Sequence, residues 1–516
     1  MGRIQWTSDQ REIIKARGSN ILVSAAAGSG KTAVLIERIY QRIIDKSEPV
    51  DVDQFLVVTF TKAAAAQMKD RLRERLEQAL SERPEDLHLQ RQVQLMGAAH
   101  ISTVHSFCGY VIQNYFHRIG MDPSYRQGTE SELALIRKEV LTELLEEKYE
   151  EGDEAFVALA DMNMFNHSDE KMEEMLSDIY DKAMSQPFPR HWLEQMLNLY
   201  EIQEEEEWER SAVCRCVLED CRQMASGLEE ELEQQLKICG EPDGPYVYED
   251  NVKELLEFCG RLQTAGCYEE FRTLFRELQV SSMSRKKGEG ISPEKREEVK
   301  ERRNRCKTVL TDMRDRYFYQ SRKEHLRDLI VMGERISTLL RLAGELMDRF
   351  TLAKRERNVI DFNDLEQLAL SILLRWDEEK EQYVRSEAAL ELSEHFAEIM
   401  IDEYQDSNHV QDTLLTSVSR DGLPGRNPNL FMVGDVKQSI YRFRNACPEL
   451  FAEKLETYEM TPGAGNRRID LHQNFRSREV VLEGANAVFR RMMHRDIGGV
   501  EYDAEASLQP GRSFAD

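Results

Sequence analysis

The sequence lacks the long apolar segments that membranes require. It has no apolar run of about 18 residues, and its N-terminus carries no charged-then-apolar signal, so neither a membrane span nor a secretory leader is predicted. Internal repeats and long low-complexity tracts are missing as well. We therefore expect a cytoplasmic protein without a membrane partner.

Positive charge is also scarce. The chain has 69 Lys and Arg residues against 95 Asp and Glu residues, a formal net charge of −26. This balance argues against general electrostatic attraction to nucleic acid. Any contact with DNA or RNA therefore requires a groove that is locally basic or aromatic within an acidic protein.

The cysteines do not form a complete metal-binding pattern. There are nine of them, an odd number, scattered mostly over helical sequence. Cys214, Cys216 and Cys221 lie close together, but no second CxxC or pair of His residues accompanies them. We expect reduced thiols, as in a cytosolic protein.

The pattern of elements predicts an α/β protein with a helical insertion. The 516 residues are too many for one hydrophobic core, and about three domains are expected. Near both ends, short apolar runs alternate with helical patterns, which is typical of a parallel sheet with helices on both faces. Residues 108–390 consist almost entirely of helical patterns, and 281–293 are predicted to be a flexible linker. The predicted sheet strands are 21–23, 55–59, 100–104, 397–401, 430–434 and 469–471.

A small-residue turn follows the first strand and fits the phosphate-binding pattern G-x-x-x-x-G-K-[ST], except that Ala25 replaces the first Gly. Backbone N–H groups of such a turn surround an anion, and the N-terminus of the next helix adds partial positive charge. Lys31 would reach the β- and γ-phosphates and Thr32 would ligate Mg²⁺. The alternative is an ordinary strand–turn–helix. The residues of the predicted ATP-binding loop are Ala25, Ala26, Ala27, Gly28, Ser29, Gly30, Lys31 and Thr32.

A second chemical signal follows the strand at 397–401. Asp402 is placed to bind Mg²⁺, and Glu403 beside it could polarise the attacking water. An Asp-Glu pair alone is weak evidence because many strand ends on a protein surface have one. The pair becomes specific because Tyr-Gln-Asp follows it and the run 433–445 (VGDVKQSIYRFRN) comes after the next helix.

Together these motifs resemble the UvrD/Rep/PcrA-like group of superfamily 1 DNA helicases, and within it the AddA family of helicase-nuclease proteins. The family fold is a P-loop NTPase with a RecA-like parallel sheet, a large helical insertion and a second RecA-like domain. The matching segments are 7–10 (Q motif), 25–32 (motif I), 59–66 (motif Ia), 102–107, 359–365, 402–406 (motif II), 434–444 (motif III) and 473–477 (motif IV).

The resemblance implies a role for each matching residue. Gln10 would recognise the adenine edge, and Phe475 would stack on adenine. Lys31, Glu403, Gln438 and Arg476 would be catalytic: Gln438 would sense the γ-phosphate, and Arg476 would be an arginine finger. The implied DNA contacts are base stacking by Phe60, Tyr441 and Phe443, and backbone contacts by Thr61, His105 and Arg444.

Each of these residues also has an ordinary explanation. Without the neighbouring motifs, the three aromatics would be interpreted as part of a core. His105 would be a hydrogen-bonded buried histidine and Arg476 a surface charge. Only the order and spacing of the motifs favour the functional interpretation.

The resemblance also predicts the domain layout. Residues 1–107 with 391–446 would form the first motor domain, 108–390 the helical insertion, and 447–516 the incomplete start of a second motor domain. Motifs V and VI and a C-terminal nuclease domain of the family do not fit after Ser477. Ala33 stands where related helicases often have an Arg against the nucleotide. We therefore expect an N-terminal piece of a longer protein that binds nucleotide weakly and hydrolyses it slowly.

The function implied is a Mg²⁺- and ATP-dependent helicase that moves 3′→5′ on single-stranded DNA and unwinds duplex during double-strand-break processing. Its partner in a heterodimer would be an AddB-type protein. The alternative is a nucleotide-gated module that binds DNA or a partner protein without turnover. A small-molecule kinase is disfavoured because the sequence has no recognisable acceptor site.

Overall fold

The chain forms two compact units in the computed structural model, which describes residues 5–122, 124–162, 169–493, 501–504 and 506–512. We refer to Met1–Val140, Tyr180–Pro189 and Asp348–Asp516 as the sheet unit, and to Leu141–Ile179 and Arg190–Met347 as the helical unit. Among the described residues, no helix is long and apolar enough to cross a membrane. All nine cysteines are free thiols.

The sheet unit is built on a six-stranded parallel sheet. Its strands are β1 (Asn20–Ala25), β2 (Phe55–Thr59), β3 (His100–Thr103), β8 (Glu398–Asp402), β9 (Leu430–Gly434) and β10 (Asn466–Leu471). Their order across the sheet is β10-β1-β9-β8-β2-β3. Short pairs lie outside this sheet: β4 (Arg126–Gln127) with β5 (Val359–Ile360), β6 (Leu374–Asp377) with β7 (Gln382–Arg385), and β11 (Gln473–Asn474) with β12 (Gln509–Pro510).

Continuous apolar runs form these strands because both faces of the sheet are covered. In β2, Leu56 and Val58 enter one core cluster, whereas Phe55 and Val57 enter the cluster on the opposite face. The alternation follows from the two-residue period of a strand. A parallel sheet of this kind places the loops after its strands along one edge, and the chemistry predicted from the sequence is carried by those loops.

Helices cover both faces of the sheet unit. The first face packs against α1 (Ser8–Lys15), α2 (Lys31–Ile43), α3 (Lys62–Glu82) and α4 (Leu87–Leu95). The other packs against α5 (Val104–Tyr115), α16 (Phe362–Leu373), α17 (Glu387–His395), α18 (His409–Ser417) and α19 (Pro448–Thr457). The last helix of the unit is α20 (Glu479–Met492).

The helical unit has its own aromatic-rich core, which includes Trp208, Tyr248, Phe271 and Phe318. Its helices are α7 (Glu154–Ala160), α9 (Pro189–Asn198), α10 (Glu205–Arg210), α11 (Ala212–Cys239), α12 (Glu249–Thr264), α13 (Tyr268–Glu277) and α14 (Pro293–Tyr317). The helices α6 (Glu130–Glu151), α8 (Asp169–Met184) and α15 (Arg322–Glu356) contribute residues to both units.

The predicted parallel sheet with flanking helices is confirmed, but the domain layout differs from the prediction in two places. Residues 466–471, assigned to the start of a second domain, form β10 and pair with β1 in the sheet. Residues 108–390, predicted as a helical insertion, include α16 and α17, which pack on the sheet, and the short strands β4 to β7. Helical periodicity reveals an apolar face but not the element against which that face packs. Of the predicted incomplete domain, residues 494–500, 505 and 513–516 lie outside the described residues.

The segment 281–293, for which the sequence predicts a flexible linker, makes polar contacts at both of its ends. Asn251 donates a hydrogen bond to Ser281 Oγ (2.8 Å), and Arg303 donates one to the carbonyl of Ser281 (2.8 Å). At its other end, Ser292 N donates to the carbonyl of Asp243 (2.9 Å). Its glycines and basic residues suggested flexibility because the sequence does not show these partners.

Candidate active site

The predicted phosphate loop connects β1 to α2. Ala25 is the last residue of β1, and α2 begins at Lys31 after Gly30, which has no side chain to cap the helix. Positive φ angles occur at Gly28 (71°) and Gly30 (86°) but not at Ala25. The replacement of the first Gly by Ala is therefore compatible with the turn, because only the two later glycines adopt the left-handed conformation.

Uncapped N–H groups at the start of α2 give this loop the character of an anion site. Ser29 lies beside them, and its buried Oγ has no hydrogen-bond partner within the described part of the chain. An unpaired buried hydroxyl is costly unless a ligand or water completes it. The loop is thus suited to a ligand rich in acceptor oxygens.

Gln10 contacts the loop from α1. Its Nε2 donates to the carbonyl of Ser29 (3.0 Å), and its Oε1 accepts from Thr7 N (3.1 Å) in a capping box. The side chain is buried and both ends of its amide are engaged. In this arrangement Gln10 supports the loop, and its amide keeps one N–H and one oxygen lone pair for a further contact.

Residues from motif IV also lie on the loop. Asn474 Nδ2 donates to the carbonyl of Ala27 (2.7 Å), and Phe475 N donates to the carbonyl of Gly28 (2.9 Å). A Cβ at Gly28 would come within 2.9 Å of Arg476 Cβ, so the approach requires glycine. Arg476 itself is exposed, and its guanidinium has no hydrogen-bond or ion-pair partner among the residues described. The structure therefore places the predicted arginine finger beside the phosphate loop.

The segment 402–406, which we call the carboxylate segment, faces the same loop. Lys31 Nζ lies 2.6 Å from Glu403 Oε2, a contact between residues that are 372 positions apart. Glu403 follows β8 in a left-handed conformation with φ of 53°, which is uncommon for a residue other than glycine. Strain of this kind persists where the surroundings fix it. Here it accompanies the direct contact of Glu403 with the phosphate-loop lysine.

The two aspartates of this segment hold their protons more tightly than an ordinary Asp does. Burial, and then the nearby Glu403 carboxylate, raise the pKa of Asp402 to about 6, while Lys31 opposes the shift. The same causes raise the pKa of Asp406 to about 6. Three carboxylates close to one ammonium group thus leave an excess of negative charge at this position.

This donor set fits Mg²⁺ in the way that phosphate-binding enzymes use it. No cluster of three or more His, Cys, Asp or Glu residues able to hold a metal occurs in the described part of the chain. Mg²⁺ is commonly held by one or two carboxylates together with water and substrate phosphates. Asp402 and the half-buried Thr32 at the start of α2 could supply the protein ligands.

Gln405 links the carboxylate segment to motif III and was missed in the sequence analysis. Its Nε2 donates to Glu403 Oε2 (3.0 Å), and its Oε1 accepts from Asp435 N (2.9 Å). A Cβ at Gly434 would lie 2.2 Å from that Oε1, so only glycine leaves room for the amide. The available signal was its position two residues after Glu403. The predicted sensor Gln438 donates instead to Asp435 Oδ2 (2.7 Å).

Exposed aromatics lie after β2 and β9. The rings of Phe60 and Tyr441 stack with centroids 4.5 Å apart, and Phe443 is 78% exposed. The guanidinium of Arg444 lies 5.7 Å from the ring centroids of both Tyr441 and Phe443. Thr61 caps α3 by accepting from Ala64 N (3.1 Å). Phe60 and Phe443 are exposed and Tyr441 is half-buried, so the first two do not belong to a core.

His105 follows β3 and lies apart from the phosphate loop. Its Nε2 is 3.4 Å from Glu366 Oε1, and its ring packs edge-on against Phe362. Burial, with a smaller effect of Lys62, lowers the pKa of His105, and burial raises the pKa of Glu366 to about 7. Both shifts favour the neutral forms, so an ion pair between the two side chains is weakened.

We expect Asp402→Asn to stabilise the ligand-free fold at pH 7.5 by about 1–3 kcal/mol. The pKa of about 6 lies above that of an unfolded Asp, so the folded state holds the proton more tightly. Ionised Asp402 therefore destabilises the folded state by its full amount above pH 6, and this destabilisation declines as the pH falls. Denaturant unfolding at pH 7.5 and pH 5 should show a gain that shrinks at the lower pH, together with weaker binding of Mg·ATP.

The matched control is Asp70→Asn, which removes an exposed carboxylate on α3. It should change neither the free energy of unfolding nor the affinity for Mg·ATP appreciably. A loss of stability in the Asp402 variant at pH 7.5 would contradict the assigned charge balance.

The family profile described as UvrD/REP helicase N-terminal domain matches residues 6–459. The chain is 41% identical to an ATP-dependent helicase/nuclease protein of Lachnoclostridium phytofermentans, over 100% of this chain and 37% of the relative. The proteins of the same description from Clostridium beijerinckii and Bacillus velezensis are each 40% identical, over 100% and 99% of this chain and 41% of each relative. The chain thus spans about two fifths of the length of these curated relatives.

Proposed function

The chain belongs to the UvrD/REP helicase family, and on that premise we propose that it carries the ATP-driven motor of a DNA helicase that moves 3′→5′ on single-stranded DNA during double-strand-break processing. The sheet unit up to Ser477 would be the first RecA-like motor domain and the helical unit its insertion. Residues after Ser477 would begin the second motor domain.

The observation that carries this proposal is the contact between Lys31 and Glu403 (2.6 Å). It joins the loop that fits phosphate to the strand end that fits a metal and a general base. Asp402 and Gln405 contact Glu403, and the segment that carries Arg476 lies against the same loop at Gly28. This constellation supports hydrolysis of a nucleoside triphosphate over simple anion binding.

The chemistry would proceed from groups already in position. Lys31 would leave Glu403 for the β- and γ-phosphates, which frees the carboxylate to accept a proton from the attacking water. Thr32 and Asp402 would hold Mg²⁺, which neutralises charge on the phosphates when bound. Arg476 would stabilise negative charge on the γ-phosphoryl group. Gln10 and Phe475 would border the base.

DNA would bind along the edge that carries the loops after β2, β3 and β9. Bases would stack on Phe60, Tyr441 and Phe443, while Thr61, His105 and Arg444 would contact the backbone. An aromatic surface suits a protein of net charge −26, because stacking requires no strong positive field. Gln405 would connect Glu403 with the motif III segment that leads to Tyr441.

The partner belongs to the proposal as well. The relatives are described as subunits of a helicase/nuclease, so we propose that the partner in a heterodimer is an AddB-type protein. Co-purification with that protein is the direct test of this part.

The test of the motor proposal is whether single-stranded DNA stimulates ATP hydrolysis by this chain. Oligo(dT) should increase ADP formation in the presence of Mg²⁺, measured with enzyme in excess so that slow turnover is still detected. Hydrolysis that is absent with and without DNA would overturn the proposal.

We expect Tyr441→Ala to weaken the binding of oligo(dT) by about 5- to 150-fold, since a base–aromatic stack is worth about 1–3 kcal/mol. Fluorescence anisotropy across a salt series is the measurement. Loss of stacking should lower the affinity while leaving the salt slope unchanged, because phosphate contacts set that slope. Arg444→Ala should instead reduce the slope.

The control for this prediction is Tyr319→Ala, which removes a tyrosine that is 61% exposed on the helical unit. If both tyrosine variants lose affinity equally, the cluster around Tyr441 is not a specific stacking surface.

A further inference from the structure

A single buried carboxyl group connects three helices of the sheet unit. Glu366 on α16 is 5% exposed, within an apolar cluster that contains Cys108 of α5 and Val410 of α18. Its Oε1 accepts a hydrogen bond from Gln411 Nε2 (2.9 Å) and lies 3.4 Å from His105 Nε2. A hydrogen bond from the Asn408 side chain also reaches this carboxyl group.

The partners of Glu366 begin two functionally placed helices. His105 is in the first turn of α5, directly after β3. Asn408 caps α18 by accepting from Gln411 N (2.8 Å), and α18 follows the turn at Tyr404–Asp406 of the carboxylate segment. One side chain thus touches both the start of the DNA-facing helix and the start of the helix after motif II.

Packing alone does not explain a carboxyl group at this position. An apolar residue would fill the cluster without the cost of burying a polar group. The carboxyl is instead satisfied by three polar partners, and burial raises its pKa to about 7. The contact of 3.4 Å between Glu366 Oε1 and His105 Nε2, together with the edge-on packing of Phe362 against the same ring, limits where the imidazole can lie.

We propose that Glu366 is a positioning residue that holds His105 and the first turn of α18 in one arrangement, so that DNA binding and nucleotide binding are coupled through it. This inference rests on the proposed function, because it requires His105 to face DNA. Glu366 lies outside the phosphate loop, the carboxylate segment and the stacking residues Phe60, Tyr441 and Phe443.

The test compares Glu366→Leu with Glu366→Gln in the whole chain. The quantity measured is the ratio of oligo(dT) affinities with and without a non-hydrolysable Mg·ATP analogue. Coupling between two sites is commonly worth about 5- to 150-fold in affinity. We expect Glu366→Leu to reduce the parent ratio at least about fivefold towards one, and Glu366→Gln, which keeps a donor and an acceptor, to retain most of it.

The matched control is Gln367→Leu on the same helix, which removes hydrogen bonds to the carbonyls of Met184 and Gln186 but does not face His105. It should keep the parent ratio even if it lowers the unfolding temperature. The double variant Glu366→Leu, His105→Ala should be no worse than His105→Ala alone, since the two residues would act as a unit.

The outcomes separate the inference from the proposed function. A parent chain that binds oligo(dT) and nucleotide without any coupling would overturn the motor proposal together with this inference. A coupled parent with an unchanged Glu366→Leu variant would overturn the inference alone. A ratio lost equally in Glu366→Leu, Glu366→Gln and Gln367→Leu would assign Glu366 a purely structural role and also overturn it.

Discussion

Glu403→Gln is expected to lower the rate of ATP hydrolysis by about 10²–10⁴-fold, the usual contribution of a general base. The affinity for Mg·ATP should be kept or should rise. In the structure the carboxylate binds Lys31 at 2.6 Å, so it competes with phosphate for the same ammonium group. A neutral amide would compete less with phosphate for Lys31, but it cannot accept the proton of the attacking water.

The measurement is ADP formation in a single turnover, paired with titration of a fluorescent ATP analogue. Glu394→Gln serves as the control, because it removes an exposed carboxylate on α17 that pairs with Arg426. Unchanged hydrolysis in Glu403→Gln, with nucleotide-dependent DNA binding intact, would favour the alternative of a nucleotide-gated module without turnover.

Arg476→Ala should reduce the hydrolysis rate by about 10³–10⁵-fold if the guanidinium acts as an arginine finger. The segment that carries Arg476 is fixed to the phosphate loop through Asn474 and Phe475. Its backbone position therefore does not depend on the arginine side chain. We expect the loss in kcat with little change in nucleotide affinity, the pattern of an interaction made in the transition state.

Arg478→Ala is the matched control, since Arg478 is an exposed arginine two residues further along. It should hydrolyse ATP at the parent rate. Should Arg476→Ala bind nucleotide poorly yet turn it over normally, Arg476 would be a ground-state contact and its assignment as a finger would be wrong.

The sequence alone was sufficient to predict the strands that precede the motif loops. Residues 55–59 and 430–434 match β2 and β9 in full, because continuous β-branched and apolar runs bounded by polar turns leave little ambiguity. Motifs that directly follow such strands are brought to one edge by parallel topology. The proximity of Lys31 and Glu403 could therefore be anticipated across hundreds of residues.

Hydrogen-bond partners could not be predicted in the same way. The resemblance assigns Gln10 and Gln438 to the nucleotide, and it does not indicate that their amides bond to Ser29 and Asp435. Each amide selects its partner from groups that tertiary packing brings near, and sequence spacing does not encode that choice. Gln405 and Glu366 were missed for the same reason.

The edge strand of the sheet could not be fully predicted, for a similar reason. The strand at 469–471 was recognised, but not that it extends to Asn466 and pairs with β1. A short strand with charged residues such as Arg467 and Arg468 suits an edge position equally well in either of two sheets. Only the register of the completed sheet decides between them.

The contact between Lys31 and Glu403 also has a consequence for which anions the pocket accepts. A lone inorganic phosphate or sulfate would have to break this ion pair while bringing more negative charge beside Asp402 and Asp406. A triphosphate that arrives with its own divalent cation compensates both losses at once. The pocket is thus expected to discriminate against abundant cellular anions, and competition by millimolar phosphate should strengthen markedly once Glu403 is neutralised.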